Sequence, residues 1–145
     1  MHNVLTLLTD LAPDDVGRVL ALGDEREVHR GDALLTEGSV PADLYVVLEG
    51  LVEVRLDALG GHVLGRLGPG EILGEVSWLE ERPASASVHV LEDGTLLAIP
   101  RSSLAALLAS DPALGARFHR ALARLLAARL RARSDELGVR GTGSQ

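Results

Sequence analysis

The stretch G-E-V-S-W-L-E-E-R-P-A-S-A-S-V from Gly74 to Val88, approached through G-P-G-E-I-L from Gly68, decides how this chain folds. A Gly-Glu pair followed by residues without a breaker reads as a glycine turn opening a short helix over Glu75–Leu79. Pro83-Ala84-Ser85-Ala86 then reads as a loop entering a strand. A single helical turn leaves its first amide N–H groups without partners inside the helix, and they converge on one spot with partial positive charge. An anionic oxygen is the natural guest of such a spot. Taken alone, a glycine loop between strands is more often only a turn, and a glutamate after glycine is more often solvated.

Outward from this stretch, residues 27–100 alternate short apolar runs with turn residues: Gly31-Asp32, Gly38-Ser39, Gly50, Gly60-Gly61, Gly68-Pro69-Gly70 and Asp93-Gly94. The runs Leu44–Leu48, Leu51–Leu56, His62–Leu67 and Thr95–Ile99 are expected as separate strands of a small β-barrel or jelly roll. Before them, residues 1–26 form a helical lead-in in two pieces, with Val4, Leu7, Leu8 and Leu11, then Val16, Val19 and Leu20 at helical spacing. After them, Arg101-Ser102-Ser103 reads as an N-cap region for a short helix through Leu108. Ser110-Asp111-Pro112 places a cap before a proline at the first turn of a longer one. That helix is expected to end near Leu137, before Gly138, so the domain covers 1–137, with helices over 101–137 and a flexible tail at 138–145.

The 145 residues suffice for one domain with its own core, and the absence of cysteine excludes disulfides, thiolate catalysis and cysteine-ligated zinc. No signal-peptide pattern or membrane-length apolar run is present, which makes a cytoplasmic protein the expectation. Tyr45, Trp78 and Phe118 are the only aromatics, too few for a platform that stacks single-stranded bases. Residues 1–112 carry seven arginines against nineteen acidic residues, net −12, whereas 113–145 carry seven arginines against Asp135 and Glu136, net +5. A duplex-binding surface requires the opposite balance on the main body.

The order of these pieces resembles the cyclic nucleotide-binding domain of the catabolite-activator class, a regulatory family. The resemblance rests on the Gly74–Val88 cassette, on V-H-R-G-D-A-L-L-T-E-G-S-V-P-A-D-L-Y-V-V-L-E-G-L-V-E-V from Val28 to Val54, and on the closing R-S-S-L-A-A-L-L helix. It spans roughly residues 5–137 and implies a mainly β fold: a double-stranded β-helix jelly roll with N-terminal helices and a long C-terminal helix. It also implies a cyclic nucleotide such as cAMP or cGMP as ligand. Glu75 matches the glutamate that accepts from the ribose 2′-hydroxyl, Ser85 and the Ala86 amide match phosphate donors, and Gly74 matches the glycine that lets the backbone approach the sugar. Val76 and Ser77 contribute amides to the same site.

One position departs from the family. Ala84, expected at the pocket edge, stands where the family usually places the arginine that grips the phosphate. A guanidinium makes two parallel charge-assisted hydrogen bonds worth roughly 1.5–3 kcal/mol each, so its loss costs on the order of 10- to 1,000-fold in affinity. Arg82, across Pro83, is one candidate replacement, and a solvated arginine beside Glu80 and Glu81 is its plainer reading. On the long helix, Leu114, Phe118, Leu122, Leu125, Leu126, Leu130 and Ala132 share an apolar face, and Arg117, Arg120, Arg124 and Arg131 lie opposite. Arg129 and Arg133 fall within the apolar face, where an arginine needs an anion, a carbonyl or a partner chain, so both are candidate ligand or interface residues.

Other chemistries lack their patterns. Gly68-Pro69-Gly70 with Gly74 is not a dinucleotide fingerprint, because its third glycine comes one residue late. The histidines His2, His29, His62, His89 and His119 form no local metal-ligand pair, and the His-x-His pair of a cupin metalloenzyme is absent. The resulting expectation is a non-enzymatic regulatory module without metal, with a homodimer formed through the C-terminal helix at Leu122 and Leu125. No DNA-reading element follows that helix, so direct DNA binding and membrane insertion are not expected, and the module acts through a partner or within a larger protein assembly. The alternative is a degenerate, nucleotide-free roll serving as a protein-interaction module, suited by a basic helix opposed to an acidic body.

Overall fold

The computed structural model describes residues 11–141, with side chains through Ala132. Helix α1 (Pro13–Leu20) leads into a rolled antiparallel sheet of β1 (Asp24–Val28), β2 (Ala33–Leu35), β3 (Asp43–Leu56), β4 (His62–Leu67), β5 (Ile72–Leu73) and β6 (Ser87–Pro100). Helix α2 (Glu75–Glu80) interrupts the sheet between β5 and β6, and α3 (Arg101–Ser110) and α4 (Pro112–Gly141) close the chain. The expected first piece of the lead-in, from Val4 to Leu8, lies outside the described residues. The expected mainly β fold with flanking helices and a long C-terminal helix is the one observed.

Two long strands form the spine. β3 pairs with β6 from Asp43↔Pro100 to Arg55↔Ser87, β1 and β2 add to β6, and β4 and β5 add to β3. The sequence suggested turns at Gly50 and Asp93-Gly94. Instead, the runs on either side of each glycine belong to one continuous strand, bent by register shifts between Val47 and Val52. Glycine is what permits the bend: a Cβ on Gly94 would lie 2.0 Å from the Glu49 carbonyl oxygen. The roll also opens at Asp24 rather than residue 27, because the exposed, acidic Asp24–Glu27 already pairs with Ala98–Thr95.

The side-chain period of two sorts each spine strand between two cores. Leu44 and Val46 face α1, α3 and α4 with Ile99, Leu104, Phe118 and Leu122, while Val47, Val52, Val88 and Leu96 fill the roll. Burial on both faces explains why the segment reads as a continuous apolar run rather than an alternation.

The helices differ in detail from the pattern. Ser102 and Ser103 cap nothing: β6 passes into α3 at Pro100 with no side-chain cap, and the helix extends to Ser110. The cap before Pro112 is Asp111, whose Oδ1 accepts from the Leu114 amide and whose Oδ2 accepts from Arg18. Both contacts hold its carboxyl below the usual carboxylate range, the Arg18 bond most of all. Helix α4 continues past Leu137 to Gly141. A glycine within a helix costs only about 1 kcal/mol relative to alanine, too little for Gly138 to end it. Leu122 and Leu125, expected at a dimer seam, are buried against the roll, whereas Leu130 on the same helix is 68% exposed. Arg117, expected on the solvent face, reaches across to α1 and holds Asp15 at 2.9 and 3.2 Å.

Candidate functional site

The cassette sits where β5 ends against β3. Gly74 precedes α2 with φ +87°, a left-handed conformation that disfavours any side chain, and its backbone lies close to the Asp43 carbonyl. The chain turns there into α2, which carries Glu75 inward: only 7% of it is exposed. The Trp78 amide closes the first turn on the Gly74 carbonyl. At the far end Glu81 takes φ +55°, and the Ser77 hydroxyl donates to the Arg82 carbonyl, folding the chain back toward β6.

The loop after α2 is pinned to a neighbouring turn. The Ala84 amide donates to the Ser39 carbonyl and the Ala84 carbonyl accepts from Gly38, each at 2.8 Å. Those bonds draw Ala84 under the surface, at 6% exposure, so it is part of the pocket wall and not the pocket edge as expected. Between this loop and the turn at Gly74 lies a cavity of about 100 Å³. Gly74, Glu75, Val76 and Ser77 line one side, Ala84, Ser85 and Ala86 another, and apolar side chains such as Leu35, Val54 and Leu67 close the back.

The electrostatics of the cavity centre on one carboxylate. Among its lining residues Glu75 alone is ionisable. Burial pushes its carboxyl above the usual range, opposed by the nearby Arg129 charge. Arg129, from α4, donates to Glu75 Oε1 and Glu71 Oε2, both at 2.7 Å. The arginine that stands on the apolar face of α4 thus finds two anions on the roll, which is how its burial is tolerated.

A second link joins α2 to α4. Trp78 Nε1 donates to His119 Nε2 at 3.0 Å and the two rings stack with centroids 6.0 Å apart. That bond makes Nε2 the acceptor, so Nδ1 carries the proton and donates to the Gly115 carbonyl at 2.9 Å. Arg101 also meets α2, 5.8 Å from the Trp78 ring centroid and 3.0 Å from the Ser77 hydroxyl.

The family model of the cyclic nucleotide-binding domain matches residues 25–111, which hold the whole cassette. The chain belongs to the cyclic nucleotide-binding domain family. It is 38% identical over 135 residues to the cyclic AMP receptor protein of Thermus thermophilus, covering 92% of this chain and 61% of that protein. The catabolite activator protein of Thermus thermophilus superposes with a TM-score of 0.72 at 37% identity, covering 92% of this chain and 62% of the other. A cyclic nucleotide-binding domain from Methylobacillus flagellatus reaches a TM-score of 0.79 at 28% identity, covering 92% of this chain and 79% of the other. The chain therefore spans about three fifths of the Thermus relative's length.

In this cyclic nucleotide-binding domain, Gly74, Glu75, Val76, Ser77, Ala84, Ser85 and Ala86 converge on the cavity, and Arg129 joins them through Glu75. Arg82 does not: its side chain is exposed and absent from the lining, because the Ser77 bonds hold its backbone at the outer end of α2. The Arg133 side chain lies outside the described residues. Sequence reasoning missed Glu71, Arg101 and the Trp78–His119 pair. Glu71 had a legible signal, two glutamates four residues apart flanking the glycine turn. The other contacts join residues distant in sequence and leave no local pattern. Among the described residues no group of three or more His, Asp or Glu side chains converges as a metal site requires, and no helix is long and apolar enough to cross a membrane.

Proposed function

We propose that this domain is a regulatory, non-catalytic module that senses a cyclic nucleotide such as cAMP or cGMP at the Gly74–Ala86 cassette and transmits occupancy through α4. The contact of Arg129 with Glu75 carries the reading, because it ties the candidate sugar-binding carboxylate directly to the C-terminal helix. A ribose hydroxyl arriving at Glu75 shares or displaces that guanidinium. Any difference in the two sets of contacts shifts the helix between two positions. The exposed Leu130 supports a homodimer seam on the outer part of α4, and a larger protein is the natural setting for such a switch.

Thermal denaturation with a panel of cyclic mono- and dinucleotides tests this. A ligand at 100 times its dissociation constant adds about 2.7 kcal/mol to stability. Stabilisation by cAMP or cGMP is the expected result. The Ala84 position favours a second reading, a roll that has lost its ligand and acts through protein contacts, and the absence of any shift across the panel would select it.

A further inference from the structure

Among the described residues the cavity lining holds no cation. It is mostly apolar, and its only ionisable group among the described residues is the acid Glu75. Among the described residues two arginines from other elements bond to the cassette without lining the cavity, and the cassette's own Arg82 is exposed and also outside the lining. Arg101 is engaged by the Ser77 hydroxyl and the Trp78 ring, and Arg129 is shared between two carboxylates, Glu75 and Glu71. Two carboxylates against one guanidinium leave that corner net negative. Burial of Glu75 already disfavours its own charge. A cyclic phosphate entering this space gives up water for its negative charge and, among the described residues, meets backbone amides but no side-chain cation in the lining.

The sugar end of the site has the opposite character. Arg129 takes Glu75 Oε1, while a carboxylate has capacity for several donors, so the group can still accept from hydroxyls. A neutral, hydroxyl-bearing ligand with a flat apolar portion fits both the acceptor and the walls. We infer that this cavity recognises the ribonucleoside portion of its ligand and draws no net affinity from the phosphate, so that uncharged ribonucleosides are ligands in their own right. This rests on the reading of the cassette as a nucleotide-type site and departs from it only on where the affinity originates.

Calorimetric titration of the full chain with cAMP, adenosine and 2′-deoxyadenosine, and with cGMP and guanosine, decides the matter. The expected result is that a nucleoside binds within 10-fold of its own cyclic phosphate and that loss of the 2′-hydroxyl weakens adenosine by at least 10-fold. Ala84→Arg then serves as the charge test, read as a ratio: it should raise the affinity for cAMP relative to that for adenosine by 10-fold or more. If cAMP or cGMP binds the unsubstituted protein more than 10-fold tighter than its nucleoside, the inference falls while the cyclic nucleotide reading stands. If none of the five compounds binds, both fall together.

Discussion

Glu75 is the residue on which the site turns, and its burial has a measurable signature. The carboxyl is raised chiefly by desolvation, so the folded state binds its proton more tightly than the unfolded chain does. A raised carboxyl is a group whose ionisation opposes folding. Its unfavourable contribution is present at neutral pH and is relieved as pH falls through the folded value. Glutamine at this position carries no titrating proton and still leaves Glu71 for Arg129. Chemical denaturation should therefore show the unliganded wild type gaining stability relative to Glu75→Gln as pH is lowered from 7 toward 5. A constant difference between the two proteins over that window would mean that Arg129 fully offsets the burial. The same substitution exchanges the charged ribose acceptor for a weaker neutral amide oxygen and should weaken any ribose-bearing ligand, so stability and binding move in opposite directions at neutral pH.

Among the elements, the paired spine strands leave no room for a side chain where they bend. β3 and β6 bend together where Gly94 crosses the Glu49 carbonyl, and the space for a Cβ there is closed by backbone that cannot rotate away. Gly94→Ala should cost at least about 3 kcal/mol, the upper end of the usual overpacking penalty, read as a lowered denaturation midpoint with unchanged slope. Gly31, at φ +94° but with nothing within 4 Å of its would-be Cβ, is the control: alanine there carries only conformational strain and should cost visibly less. The bend matters to the site because β3 carries Tyr45 and Val46, the partners of β5, and β5 delivers the chain to Gly74.

For the whole molecule, the question is what α4 does beyond the roll. Leu114, Phe118, Leu122 and Leu125 are spent on the domain's own core, so an acidic residue at Leu122 or Leu125 unfolds the protein and says nothing about assembly. Leu130 is the informative position, apolar, exposed and next to Arg129. If α4 pairs with a second copy, Leu130→Glu should convert dimer to monomer in sedimentation equilibrium while leaving the circular dichroism spectrum and thermal midpoint of the domain nearly unchanged. A wild type that is monomeric at high micromolar concentration overturns the dimer.

The sequence by itself determined the class of fold, the order of its parts and the location of the cassette, because glycine turns, apolar periods and the cap before Pro112 act within a few residues of one another. It also singled out Glu75, through the family resemblance, and Arg129, as an arginine on an apolar face. Only the tertiary structure paired them, since 54 residues separate them and no local rule spans that distance. The same holds for the strands that pass through Gly50 and Gly94, which look like turns until the neighbouring strand supplies hydrogen bonds on both sides of the bend. Ala84 became part of a pocket wall, and Leu122 part of the core, for one physical reason: burial depends on what the rest of the chain packs against a residue.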